Sequence, residues 1–118
     1  LHNWLGPLLD TIFSNSYKAL KPGGIFGVVE HRANEGTTLE IMKKSGYVTE
    51  KHAIAIAKKH GFELVSKSEV NSNPKDIKNY PKGVWTLPPN LRMKEVDKEK
   101  YLEIGESDRM TLLFRKPF

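Results

Sequence analysis

The chain has 118 residues, no cysteine and a net charge of +5. That length suffices for one small domain with a single hydrophobic core, and the missing cysteines exclude disulfides, zinc–cysteine sites and thiol nucleophiles, which fits a cytoplasmic protein. No apolar run approaches the roughly 20 residues needed to cross a bilayer, so no segment is expected to span a membrane.

Leu5, Leu8, Leu9, Ile12, Phe13, Tyr17 and Leu20 recur at steps of three and four and so share one helical face. Pro7 suits the first turn of that helix, where its missing N–H costs little. Pro22-Gly23-Gly24 then stops the helix and turns the chain. Ile25 to Val29 is a continuous apolar run rich in β-branched residues, as expected of a strand covered on both faces in a parallel sheet.

A polar stretch from Arg32 to Gly46 holds a short helix around Leu39 to Lys44. Thr49 is the expected N-cap of a longer helix, with Val48 placed to staple onto Ala53. Ala53, Ile56, Ala57 and His60 share its inner face, and Gly61 is a left-handed C-cap onto which Phe62 folds back. Phe62 to Val70 follows as a strand, completing a strand–helix–strand crossover. Residues 71–107 form a long connection broken by Pro74, Pro81, Pro88 and Pro89, in which Tyr80, Trp85 and Tyr101 argue for packing and Glu95 to Ile104 for a short helix. Arg109 to Lys116 reads as a final strand with Met110, Leu112 and Phe114 on one side.

Ligands of open α/β sheets bind beyond the carboxyl ends of the strands. Glu30, His31 and Arg32 stand at such an end, directly after the buried run. His31 is the expected catalytic base, because its ordinary pKa lies near neutrality. Glu30 and Arg32 either contact the substrate or form a structural ion pair. Trp85, in the proline-rich connection, either closes over a substrate or anchors the loop. His52 and His60 fall on the crossover helix, remote from the strand ends. No spacing of His, Asp and Glu resembles a metal site. The lysines are scattered among acidic residues, which argues for a solvated surface over a nucleic-acid face.

Leu20-Lys21-Pro22-Gly23-Gly24 before an apolar strand is similar to the entry of the fifth strand in class I methyltransferases that use S-adenosylmethionine. His2-Asn3-Trp4 resembles the segment after the fourth strand in a group of bacterial predicted methyltransferases, and Val29-Glu30-His31-Arg32-Ala33 resembles the end of their fifth. Gly46-Tyr47-Val48, Gly83-Val84-Trp85-Thr86-Leu87-Pro88-Pro89 and Gly105-Glu106-Ser107-Asp108-Arg109-Met110 resemble that group's later segments.

The resemblance implies the C-terminal half of a Rossmann-like α/β domain over residues 1–118, with strands 5, 6 and 7 and the last strand returning antiparallel between the other two. It implies S-adenosyl-L-methionine as cofactor, contacted by His2, Asn3 and Trp4, unless Trp4 only anchors the following helix, and it implies Tyr47 facing the cleft. A small-molecule substrate is expected because the basic residues form no concentrated patch for nucleic acid. The family's glycine-rich turn and its ribose-binding acidic residue are absent from these residues, and Gly23-Gly24 cannot replace that turn because it precedes a strand instead of opening a helix. The missing strands should leave an open sheet edge at Ile25 to Val29 that pairs with a second copy or is covered by the N-terminal segment. The rival expectation is a free-standing basic binding module for RNA, with binding that weakens steeply as salt rises.

Overall fold

A computed structural model describes residues 1–118. The fold is mixed α/β: four α-helices against an open three-stranded sheet. In chain order the elements are α1 (Pro7–Ala19), β1 (Ile25–His31), α2 (Leu39–Ser45), α3 (Glu50–Lys59), β2 (Glu63–Ser68), α4 (Lys98–Ile104) and β3 (Arg109–Arg115), with a 3-10 turn at Gly83–Thr86. No helix is long and apolar enough to cross a membrane.

The chain reverses between α1 and β1 because Gly23 adopts φ +82°, and a Cβ there would come within 2.4 Å of the Phe118 ring. A left-handed position of this kind strongly favours glycine. The N-terminus of α3 forms as its sequence requires: the Thr49 hydroxyl accepts from the His52 N–H at 3.1 Å, and Val48 and Ala53 are both buried. At the other end Gly61 takes φ +96° and the Phe62 N–H returns to the Ala57 carbonyl at 3.0 Å.

The sheet order is β1-β3-β2, and β3 is antiparallel to both neighbours. β1 and β2 therefore run parallel to each other, joined by the connection that carries α2 and α3. Directly paired residues share a face, so Phe26, Val28 and Glu30 stand beside Phe114, Leu112 and Met110. Leu9 and Phe13 of α1, Met42 of α2 and Ala53 and Ala57 of α3 pack on that face, together with Val48 and Phe62. Leu8, on the outer side of α1, is 54% exposed and does not join the core.

All three helices meet one core, so the other face of the sheet is open. Ile25 is 64% exposed and Val29 53% exposed. The expectation of a strand covered on both faces is thus corrected: an apolar run specifies a strand, but the number of layers over it depends on which helices fall on which side. The outer edge of β1 carries no strand along Ile25 to Val29. Only at its C-terminal end does Val48 pair with it, donating to the His31 carbonyl at 2.8 Å while its own carbonyl accepts from the Ala33 N–H at 2.7 Å.

The long connection is packed, as its aromatics suggest. Tyr80 and Tyr101 meet edge to face with ring centroids 5.8 Å apart, and Tyr101 is buried. Its helix begins only at Lys98, because Lys94 and Asp97 both take positive φ and interrupt the helical path before it.

Candidate functional site

Antiparallel pairing of β3 with β1 brings the residues just before β3 against the C-terminal end of β1. The Arg32 N–H donates to the Asp108 carbonyl at 2.8 Å, and Ser107 Oγ lies 2.5 Å from His31 Nδ1. Ser107 had no role assigned from sequence. The signal was present, since a strand over Arg109 to Lys116 paired end to end with Ile25 to His31 places Ser107 and Asp108 there.

His31 lines a cleft of about 140 Å³ whose walls include Trp85, Pro89, Asn90, Ser107 and Arg109. The 3-10 turn that carries Trp85 lies directly on the end of α2: Gly83, at φ +58°, is so close that a Cβ would sit 2.3 Å from the Ser45 carbonyl oxygen. Trp85 is held in turn by Arg92, whose guanidinium stacks 5.3 Å from the ring centroid. Burial lowers the His31 pKa, opposed by the nearby Glu30 carboxylate, which favours the imidazolium.

His2 completes this end of the sheet. Its ring is 4.9 Å from that of His31 and 6.2 Å from that of Trp85, centroid to centroid. Its Nδ1 lies 2.5 Å from Glu30 Oε1. Glu30 is 4% exposed, and it also receives the Leu1 amino group on Oε2 at 2.9 Å and the His31 N–H on Oε1 at 3.2 Å. Burial pushes its carboxyl pKa up, yet hydrogen bonding, from His2 first, outweighs this and holds it below the usual value. His2, Glu30 and His31 each offer a donor atom within 4.8 Å of the others. Short-range ligand spacing does not reveal this cluster, because His2 lies 28 residues from Glu30 and meets it only through the fold.

The other expected site residues are placed differently. Glu30 and Arg32 do not pair with each other: Glu30 is engaged by His2 and the Leu1 nitrogen, and Arg32 by three other carboxylates. All five Arg32 N–H groups are engaged, by Asp108 at 2.8 and 2.9 Å, Glu69 at 2.8 and 3.1 Å and Glu50 at 2.8 Å. Arg32 therefore ties β1 to α3, to the chain after β2 and to the chain before β3, with no donor left for a substrate. Tyr47, expected to face the cleft, is 1% exposed, and its hydroxyl donates into the Asp76 carboxylate at 2.9 and 3.0 Å. Burial and the Asp76 charge both push its pKa far up. It is a core residue beneath the site. Asn3 is exposed and makes no hydrogen bond, and Trp4 is 42% exposed. Of His2, Asn3 and Trp4 only His2 reaches the strand end.

Hollows elsewhere offer less chemistry. The 440 Å³ groove along α3 is lined by Glu50, Lys51, Ile54 and Lys58, solvated charges with no convergent donor set. His60 lies far from the strand end, with its Nε2 2.9 Å from Asp10 Oδ1 of α1. The chain matches no protein-family model and no curated protein.

Proposed function

We propose that this chain forms the C-terminal part of a class I methyltransferase that moves the methyl group of S-adenosylmethionine to a small-molecule nucleophile. One observation carries the reading: the strand order β1-β3-β2, with β3 antiparallel between two parallel strands and a helical crossover between β1 and β2, is the arrangement the resemblance implies for strands 5, 7 and 6. The polar cluster stands where that topology puts a ligand, past the carboxyl end of β1.

In this reading the cleft between His31 and Trp85 would receive a substrate oxygen or nitrogen, whose proton the His31 ring would take. S-adenosylmethionine, when bound, would supply the methyl group and depart as S-adenosylhomocysteine. The sulfonium is already a good leaving group, so alignment is the protein's main contribution. Ser107 holds the His31 ring, His2 would contact the cofactor, and Trp85 would bound the substrate. The glycine-rich turn and the ribose-binding carboxylate have no counterpart among these residues, and the proposal assigns them to strands outside this sequence.

The test is methyl transfer from labelled S-adenosylmethionine by the protein of the complete reading frame, read as S-adenosylhomocysteine formed with a panel of small hydroxyl and amine substrates. Turnover is expected, and His31→Ala should lower it by about 10²–10⁴-fold while cofactor affinity stays near that of the parent. Failure of the complete protein to bind S-adenosylmethionine overturns the reading. Near-normal turnover in the variant removes His31 as the base.

A further inference from the structure

We propose that His2, Glu30 and His31 form a binding site for a first-row divalent cation of the zinc type. The three donor atoms lie within 4.8 Å of one another. They come from two chain segments fixed by different parts of the fold, His2 ahead of α1 and Glu30 and His31 as the last two residues of β1. Two imidazoles with one carboxylate are a donor set that suits zinc, iron or nickel and not magnesium or calcium, which prefer oxygen throughout.

The carboxylate is the strongest part of the argument. Glu30 is 4% exposed on the core face of the sheet, between Val28 and the chain end, opposite Met110. A carboxylate taken out of water needs compensating positive charge. Its Oε2 faces the Leu1 nitrogen, whereas Oε1 shares its side with His2 Nδ1 at 2.5 Å. Metal–nitrogen and metal–oxygen bonds of about 2.0–2.2 Å in a tetrahedral shell need ligand atoms somewhat over 3 Å apart. The His2–Glu30 contact therefore has to open by roughly an ångström, which the N-terminal segment can supply because Asn3 and Trp4 beside His2 are exposed.

The surroundings suit ligation as well. Ser107 Oγ sits on His31 Nδ1, so the ring can bind through Nε2 with its other nitrogen held by an outer partner, the arrangement that orients metal-bound histidines. Three protein donors leave a fourth position open beside the cleft under Trp85, as in catalytic and not structural zinc sites. The two states of the cluster then differ in chemistry. Without the cation, the His31 lone pair is free to take a proton; with it, that lone pair is a ligand and the open position receives a water or a substrate oxygen.

Titration calorimetry of the 118-residue chain with zinc chloride tests this without reference to methyl transfer. One equivalent is expected to bind in the micromolar range. His2→Ala and His31→Ala should each weaken binding by more than the roughly 10- to 100-fold that losing an outer partner costs, and His52→Ala, on α3 and outside the cluster, should leave it unchanged. Circular dichroism establishes that each variant is folded. Glu30→Gln keeps the shape of the side chain and should also lose the ion; His2→Ala serves as the decisive variant if Glu30→Gln does not fold. Absence of binding at millimolar zinc, or binding that survives both histidine substitutions, overturns the proposal. Neither result touches the methyl-transfer reading, which is measured on a different ligand.

Discussion

Ser107 Oγ stands 2.5 Å from His31 Nδ1 and so joins the end of β1 to the last turn before β3, across 76 residues of sequence. The contact fixes which ring nitrogen is engaged and leaves the other to face the cleft. Ser107 acts in our reading as a positioning residue. Ser107→Ala should lower stability by about 1 kcal/mol, the usual net worth of such a hydrogen bond, measured by urea denaturation. In the methyl-transfer assay it should lower kcat with little change in cofactor affinity. A loss of stability with kcat per folded molecule unchanged would assign the contact to folding alone.

Asp108 carries a second prediction. Burial raises its carboxyl pKa, but Arg32, Lys78 and the Asn73 N–H outweigh that and hold it far below the ordinary carboxylate value. A depressed folded pKa means stabilisation that is complete above the unfolded pKa, near 4, and is lost as pH falls toward the folded value. Unfolding free energy followed downward from neutral pH should therefore drop steeply below about pH 4. Asp108→Asn should cost about 3 kcal/mol at neutral pH, since it leaves Arg32 and Lys78 short of a partner in a half-buried network, and should flatten the acid limb. An unchanged acid limb in the variant would mean that other carboxylates govern it.

These two residues mark where sequence reading stopped. Periodicity and capping chemistry place α1, α3 and β3 closely, because Leu9, Phe13, Thr49 and the alternation of Met110, Leu112 and Phe114 are local signals acting within a few residues of themselves. The strand-end rule singles out His31, which lies in the cleft beside Trp85 and Ser107. What fails is anything set by a distant partner. Arg32 looks like a substrate-binding cation until Glu50, Glu69 and Asp108 take all its donors. Tyr47 looks like a cleft residue until Asp76, 29 residues on, draws its hydroxyl inward. The exposure of Ile25 and Val29 is invisible for the same reason, since an apolar run is written alike whether one face of it or both are covered.

Cofactor recognition gives a third prediction. In the fold we propose, the glycine turn and the ribose-binding carboxylate provide most of the contact with S-adenosylmethionine, and neither is present here. Titration of the 118-residue chain should show weak binding or none, and micromolar binding would contradict the assignment of those features to other strands. The same sample should not bind RNA in the salt-dependent manner of a basic module. Many cations already face carboxylates on the surface, as Lys59 does Asp10, Lys67 does Glu50 and Lys98 does Glu95. RNA binding that weakens steeply with added salt would instead favour the rival module.

The last prediction concerns the bare side of β1. Its outer edge has no strand partner from Ile25 to Val29, and the side chains of Ile25 and Val29 are 64% and 53% exposed on the face away from the helices. An unpaired edge offers a row of free N–H and C=O groups to another chain, and exposed β-branched residues add apolar area to the contact. The 118-residue chain should therefore self-associate, pairing β1 with β1 of a second copy, which a two-fold axis makes antiparallel and self-complementary. Light scattering after size exclusion should give a mass that rises with concentration toward the dimer. Val29→Lys puts a charge on this edge strand, a device that natural sheets use to stop such pairing, and should return the chain to monomer without loss of helix content. A chain that stays monomeric at all concentrations, with the edge bare, would show that β1 tolerates water on this side and needs no covering strand.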